Sequence, residues 1–211
     1  ASGRGQGLNP SLVTRVQDVY PALTDQQANG FILAQLRAGR TDAQIYSLLQ
    51  ARMREWETLE STLDQWVGEP IAGSMLESVL GGKAAVAQNL KQSWRNSPLA
   101  GEHSRYRMLD LVCDDSIPAL SADFSHVRDL YVRGRSVTDA NVDALLANFP
   151  KLRRLRINGT GNDFTTVPQV LSSMPDLTGL SLYSAARFAA DMPSRLGALT
   201  TLEELSLYST W

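Results

Sequence analysis

The chain has 211 residues, 43% of them hydrophobic, which allows one large packed domain or two modest ones. Its 20 basic and 22 acidic residues leave a net charge of −2, and neither half carries the excess expected of a general nucleic-acid or membrane-surface binder. A single cysteine excludes an internal disulfide, two histidines argue against a zinc site of three or four Cys/His ligands, and no apolar run approaches the ~18 residues of a membrane span.

The opening ASGRGQG is glycine-rich and poor in apolar residues, so residues 1–8 read as a flexible lead-in. It lacks a charged-then-apolar targeting signal, and the compartment stays open. A first helix is expected from Pro10 to Tyr20, opened by Asn9 and followed by Pro21. Two capping-box matches follow, TDQQ at Thr24–Gln27 and TDAQ at Thr41–Gln44, each with a side-chain acceptor at a helix start and a glutamine three residues on. Phe31, Ile32, Leu33 and Leu36 supply the apolar face of the helix between them, and Gly39 supplies its stop. The next helix is long: Ile45, Leu48, Leu49, Met53, Trp56, Leu59, Leu63 and Trp66 form one stripe, ended by GEP at Gly68–Pro70. Trp56 and Trp66 share that stripe with leucines, which marks them as core rather than as a ligand site. SMLESVL and KAAVAQNLKQSW read as two further helices separated by Gly81 and Gly82, with NSP ending the second. Five helices with short connections over residues 9–98 predict an antiparallel bundle.

Beyond residue 98 the period changes. VRDLYV, LRRLRI, LTGLSL and LEELSL all fit apolar-x-x-Leu-x-apolar, and their central Leu130, Leu155, Leu180 and Leu205 stand 25 residues apart. Six residues before each stand Phe124, Phe149, Met174 and Leu199; thirteen before stand Ile117, Val142, Val167 and Met192. This pattern resembles the leucine-rich repeat, whose units contain a strand plus a helical or 3₁₀ segment. Alternation sends the central leucine and the residue two further on inward, and stacking buries that row. TDANVDALLANFP, with Val142, Leu145, Leu146 and Phe149 on one stripe and Pro150 as its stop, predicts a helix behind the strands. The expected fold class is α+β: a mainly α N-terminal bundle, then an α/β leucine-rich-repeat solenoid with parallel strands over 99–211. About four 25-residue repeats and a short capping strand, MLDLV, make up the second part. Two features depart from the family. Arg135, Thr160, Ala185 and Thr210 replace the asparagine or cysteine expected five residues after the central leucine, which predicts irregular loops on that edge. The strand directly before Trp211 has no polar capping repeat after it, which reads as a truncated repeat domain and leaves a surface for end-to-end association of an otherwise monomeric chain.

VYPALTDQQANGFILAQLRAGRTDAQIYSLLQARMREWETLESTLDQWV, SWRNSPLAG and ADFSHVRDLYV together resemble the central region of large bacterial dermonecrotic-toxin-like proteins. The resemblance implies a helical toxin-like region followed by leucine-rich repeats and often a C-terminal novel-E3-ligase domain. It further implies secretion or injection into a host cell, and repeats that select host proteins. Such ligase domains use a Cys-x-Asp motif, and CDD at Cys113–Asp115 fits its letters. The setting does not fit: Cys113 follows the strand-like MLDLV, whereas the ligase motif belongs to an all-helical domain after the repeats. Cys113 therefore reads as a small apolar residue at a strand end, and neither His103 nor His126 offers it a base.

The outward positions of the four repeat strands carry the candidate partner-binding residues: Arg128, Tyr131 and Arg133; Arg153, Arg154, Arg156 and Asn158; Thr178, Ser181 and Tyr183; Glu203, Ser206 and Tyr208. Asp129, Gly179 and Glu204 complete this face, which runs from basic through neutral to acidic, with an aromatic column at Tyr183 and Tyr208. Tyrosine and arginine are favoured in interface hot spots, and concave repeat faces are extended binding surfaces. The reading is a protein-recognition module without chemistry of its own, taking a protein partner and no cofactor, metal or membrane. Nucleic acid is disfavoured because the arginine cluster is too narrow a footprint. The alternatives are a piece of a ubiquitin ligase or toxin that holds or restrains a separate catalytic domain, and an enzyme fragment using Cys113.

Overall fold

The structure, a computed structural model, describes residues 9–70 and 77–210; the expected lead-in, the start of SMLESVL and Trp211 lie outside the described residues. Local hydrogen bonds fix the helical half. Helix α1 (Pro10–Val19) starts where the Asn9 side chain accepts from the Ser11 amide. Both capping boxes form, so Thr24 opens α2 (Asp25–Arg37) and Thr41 opens α3 (Asp42–Gly68). Helix α2 stops at Gly39, whose φ of 86° lets its amide reach the Leu36 carbonyl and the Arg40 amide reach that of Gln35. The expected break at Gly81 and Gly82 does not occur: one helix, α4 (Glu77–Arg95), runs through both glycines. Two glycines cost a helix interior on the order of 2 kcal/mol relative to alanine, and tertiary packing overrides that preference. Val86, Ala87, Leu90 and Trp94 of α4 are buried, and the Lys83 ammonium donates to the Trp66 and Glu69 carbonyls at the end of α3.

Five parallel strands follow in chain order: β1 (Met108–Val112), β2 (Asp129–Gly134), β3 (Arg154–Gly159), β4 (Gly179–Ser184) and β5 (Glu204–Ser209). MLDLV is a full member of the sheet, with Leu109 opposite Leu130. The 25-residue spacing becomes exact register, since Leu130, Leu155, Leu180 and Leu205 pair in one row, and Val132, Ile157, Leu182 and Leu207 in the next. Between strands the chain returns through α5 (Val142–Leu146), a 3₁₀ segment (Gln169–Ser173) and α6 (Met192–Gly197), so the connections are shorter than the expected helix and one is not α-helical. Val142, Leu145, Leu146 and Phe149 are buried as expected, and Phe149 stacks on Phe124 at 5.1 Å.

The edge that lacks the asparagine ladder is satisfied by other groups. The Thr160, Ala185 and Thr210 amides donate to the Gly134, Gly159 and Ser184 carbonyls, continuing the backbone ladder. Hydroxyls then take the remaining carbonyls: Ser136 donates to Cys113, Ser184 to Phe164, and Thr210 to Ala185 at 2.7 Å. Gly134 (φ 138°) is required here, because a Cβ would collide with the Cys113 carbonyl.

The two halves share one core. Glu55 of α3 accepts from the Trp94 indole and, at 3.1 Å, from the Asp123 amide. Arg52 donates to the Asp123 carboxylate at 3.2 Å, the Trp66 indole donates to Ser116 at 2.7 Å, and Ser93 is hydrogen-bonded to His126 at 2.9 Å. Burial pushes His126 from its ordinary 6.5 down to about 4; Arg128 and Arg52 act the same way, while Asp123 and Ser93 oppose it.

Two measurements test this junction. Tryptophan fluorescence of a Trp211→Phe chain, which leaves Trp56, Trp66 and Trp94 in the helical half as its reporters, and far-ultraviolet dichroism are expected to give one coincident urea transition, and Phe149→Ala in the other half is expected to lower both midpoints at a cost of about 3–5 kcal/mol. Separate midpoints would break the shared core. For His126 the unfolded chain binds a proton below about 6.5 while the fold keeps the ring neutral, so stability falls as pH drops from 6.5 towards 4 and this group has no effect above that window. His126→Gln is expected to flatten the pH dependence of the unfolding free energy, read from urea titrations over that range, by up to about 1.4 kcal/mol per pH unit. Asp123 lies outside it: burial raises its carboxyl, but Ser125 and Arg52 hold it below its ordinary 3.8, so its contribution is lost only at lower pH.

Candidate functional site

Alternation along each strand places Met108, Asp110 and Val112 of β1, Asp129, Tyr131 and Arg133 of β2, Arg154, Arg156 and Asn158 of β3, Gly179, Ser181 and Tyr183 of β4, and Glu204, Ser206 and Tyr208 of β5 on the face turned away from the buried leucines. Register sorts them into rows across the sheet. One row reads Asp129, Arg154, Gly179, Glu204; the next Tyr131, Arg156, Ser181, Ser206; the third Arg133, Asn158, Tyr183, Tyr208. Arg128, Arg153, Thr178 and Glu203 form a further row just before the strands, where the Arg153, Thr178 and Glu203 amides each donate to the carbonyl of the preceding row member. Nine of the thirteen residues singled out from the sequence therefore lie on the outward face of the strands, and the other four, Arg128, Arg153, Thr178 and Glu203, form the row just before it.

Their charges are not equally available. Arg133 is held by Asp110 at 3.2 Å, and Arg153 lies 3.6 Å from Glu102, which also takes Arg107 at 2.9 Å. Arg128 donates to the Ser125 and Lys151 carbonyls at 2.8 and 3.1 Å, so it ties the loop edge together. Arg154 and Arg156 are exposed and have no carboxylate partner among the described residues. Arg156 and Arg133 both sit over the Tyr131 ring, at 5.0 and 5.1 Å. On the far strand Glu203 and Glu204 are exposed and likewise unpaired among the described residues.

Tyr183 and Tyr208 stack at 5.0 Å with their rings 12° apart, and Tyr208 is 60% exposed. Beside them the side-chain Oδ1 of Asn158 is buried without a hydrogen-bond partner among the described residues. Thr178, Ser181 and Ser206 present short side chains; Thr178 donates to the Arg153 carbonyl at 3.3 Å. Sequence reasoning missed Glu102, Asp110 and the rest of β1's outward row. The alternation in MLDLV was available as a signal, but Leu109 stands 21 rather than 25 residues before Leu130, outside the repeat period.

Cys113 lies at the other end of β1's neighbourhood, 1% exposed, its amide donating to the Arg133 carbonyl at 2.6 Å. Burial pushes its thiol up to about 12, and the Asp114 and Asp110 carboxylates push it the same way. Such a thiol stays protonated and shielded at neutral pH. Among the described residues no group of His, Cys, Asp and Glu is placed to hold a metal ion, and no helix is long and apolar enough to cross a membrane. Thiol–disulfide exchange of Cys113 with a soluble aromatic disulfide, which forms the mixed disulfide and releases the aromatic thiolate, is expected at mildly alkaline pH to run at least about a hundredfold slower in the folded chain than in urea; equal rates would make the thiol accessible and reopen nucleophilic chemistry.

Compared with family models, curated proteins and solved structures, the chain has no match.

Proposed function

We propose that this chain is a protein-recognition module whose 25-residue units are leucine-rich repeats stacked as a solenoid, binding a partner protein through the concave, outward face of the parallel sheet. The observation that supports the reading is the set of exposed charges left without an ion pair among the described residues, beside an exposed aromatic stack. Arg154, Arg156, Glu203 and Glu204 have no internal ion pair among the described residues, and the stacked Tyr183 and Tyr208 present an aromatic platform beside them. Tyrosine and arginine are the side chains whose truncation most often weakens protein interfaces. The resemblance to bacterial toxin-like effectors makes a host protein the class of partner and a secreted or injected parent the setting.

A second reading, a scaffold that holds or restrains a neighbouring catalytic domain, is favoured by the junction: Glu55, Asp123, Arg52 and Trp94 lock the helices to the sheet. The two readings separate in one experiment. Eukaryotic-cell lysate is passed over the parent chain, over Arg154→Glu/Arg156→Glu/Tyr183→Ala/Tyr208→Ala, and over Gln169→Glu in the 3₁₀ segment on the other side. A protein retained by the parent and by Gln169→Glu, and retained about tenfold less by the folded quadruple variant, is the expected result. Equal retention by all three moves the assignment to the scaffold.

A further inference from the structure

Where the helical half meets the segment before β2, the packing leaves a cleft of about 260 Å³ that shares no residue with the outward face of the sheet. Its apolar lining is largely aromatic. Tyr20 and Trp94 are buried with ring centroids 5.6 Å apart, Phe31 lies 5.8 Å from Tyr20, and Phe31 and Leu48 are half-buried. Tyr20, Arg52, Asp123 and His126 all line the cleft, and all four have proton affinities shifted by their surroundings, burial being the largest single influence on each. Such a concentration marks a candidate site when the geometry agrees.

The polar lining is unequally used. Asp123 has both oxygens occupied, Oδ2 by Arg52 at 3.2 Å and Oδ1 by the Ser125 amide at 2.8 Å. Arg52 also pairs with Glu55 at 3.4 Å, and the neutral His126 is bonded to Ser93 at 2.9 Å. Arg40 is different: it is exposed and has no carboxylate partner among the described residues. The left-handed turn at Gly39 folds Arg40 back on the end of α2, where its amide donates to the Gln35 carbonyl and its guanidinium to the Gln35 side chain. A guanidinium carries five N–H donors, so the bond to Gln35 holds the group in place and leaves donors over. The charge a ligand meets in this cleft is therefore that of Arg40, with the Ser97 and Ser125 hydroxyls as neutral neighbours.

We propose that this cleft binds a small organic monocarboxylate with a flat apolar body. One uncommitted guanidinium matches one negative charge, and its planar fork matches the two oxygens of a carboxylate. The aromatic lining and Leu48 take the flat body. The volume sets the size: sites for drug-sized ligands run from about 300 Å³ upward, so this cleft holds about one ring. A cationic ligand is the poorer fit because the Asp123 charge is already spent on Arg52, and a dianion finds a single free cation. The site is independent of the recognition reading above. Because α2, α3, α4 and the segment before β2 all contribute to it, an occupant also ties the two halves of the chain together.

The test is an amide chemical-shift titration of the isotope-labelled chain with benzoate at neutral pH and constant ionic strength, with benzamide and acetate as comparisons. Benzoate is expected to give saturable shifts at Phe31, Arg40, Leu48, Ser97 and Ser125 with a Kd of about 1–10 mM, and each comparison compound to bind at least about fivefold more weakly. Arg40→Gln changes one exposed side chain and is expected to weaken benzoate about fivefold with the remaining spectrum in place, whereas Arg37→Gln, also exposed on α2 but outside the cleft, is expected to leave it unchanged. No saturable shift by about 20 mM benzoate, saturable shifts confined to other parts of the chain, equal binding of benzamide or acetate, unchanged affinity in Arg40→Gln, or an equal loss in Arg37→Gln overturns the proposal. The benzamide and acetate comparisons are made on the parent chain, so they decide the matter even where Arg40→Gln disturbs the fold. Loss of the cleft assignment leaves the recognition reading standing, since the lysate capture uses variants of other residues.

Discussion

Every relation on the outward face depends on the row-by-row pairing of the inward leucines. Leu130, Leu155 and Leu180 stand opposite one another and are buried, as are Val132, Ile157 and Leu182. A one-residue slip of any strand would turn these rows to solvent and the arginines into the core, at a cost of several side-chain burials, each about 1.5–3 kcal/mol. The register is therefore held by the apolar side, and the outward side inherits it. Tyr183 lies on Tyr208, and Arg154 beside Gly179, because their inward neighbours cannot shift.

The helical half adds a second constraint by fixing the first strand. Helix α4 packs on β1, and the segment between β1 and β2 is tied to α3 through Ser116 and Asp123. Glu55 accepts from both a tryptophan of α4 and a backbone amide of that segment, so one carboxylate joins three parts of the chain. The electrostatics of the candidate face follow from this placement. With β1 in the sheet, Asp110 reaches Arg133; with the preceding turn packed beside it, Glu102 reaches Arg107 and Arg153. Among the described residues, Arg154 and Arg156 are thereby left as the exposed arginines of the β2 and β3 strands without a carboxylate partner, and Arg156 rests on Tyr131.

What the sequence reveals and what it hides divide along the range of the interactions. The capping boxes at Thr24 and Thr41, the stop at Gly39 and the strand register involve neighbours or a fixed period, so they can be read directly. The outward rows follow from the same period, which is why the candidate residues within the strands fall on one face. Gly81 and Gly82 look like a break because their local preference is against a helix; packing of Val86, Leu90 and Trp94 decides otherwise. The neutralising carboxylates are hidden for the complementary reason. Asp110 and Glu102 belong to a strand and a turn outside the 25-residue spacing, so nothing local to Arg133 or Arg153 announces them.

Burial is uneven across the sheet. Leu205 and Leu207 occupy the same inward rows as Leu180 and Leu182 but are 48% and 42% exposed, because among the described residues β5 has a strand neighbour only on its β4 side. Arg154 and Arg156 thus stand on a strand paired on both sides, while Glu204 and Tyr208 stand on the strand with the least burial beneath it among the described residues. By linkage, a ligand that bridged Arg154 and Glu204 would stabilise the pairing of β3, β4 and β5 in proportion to its occupancy.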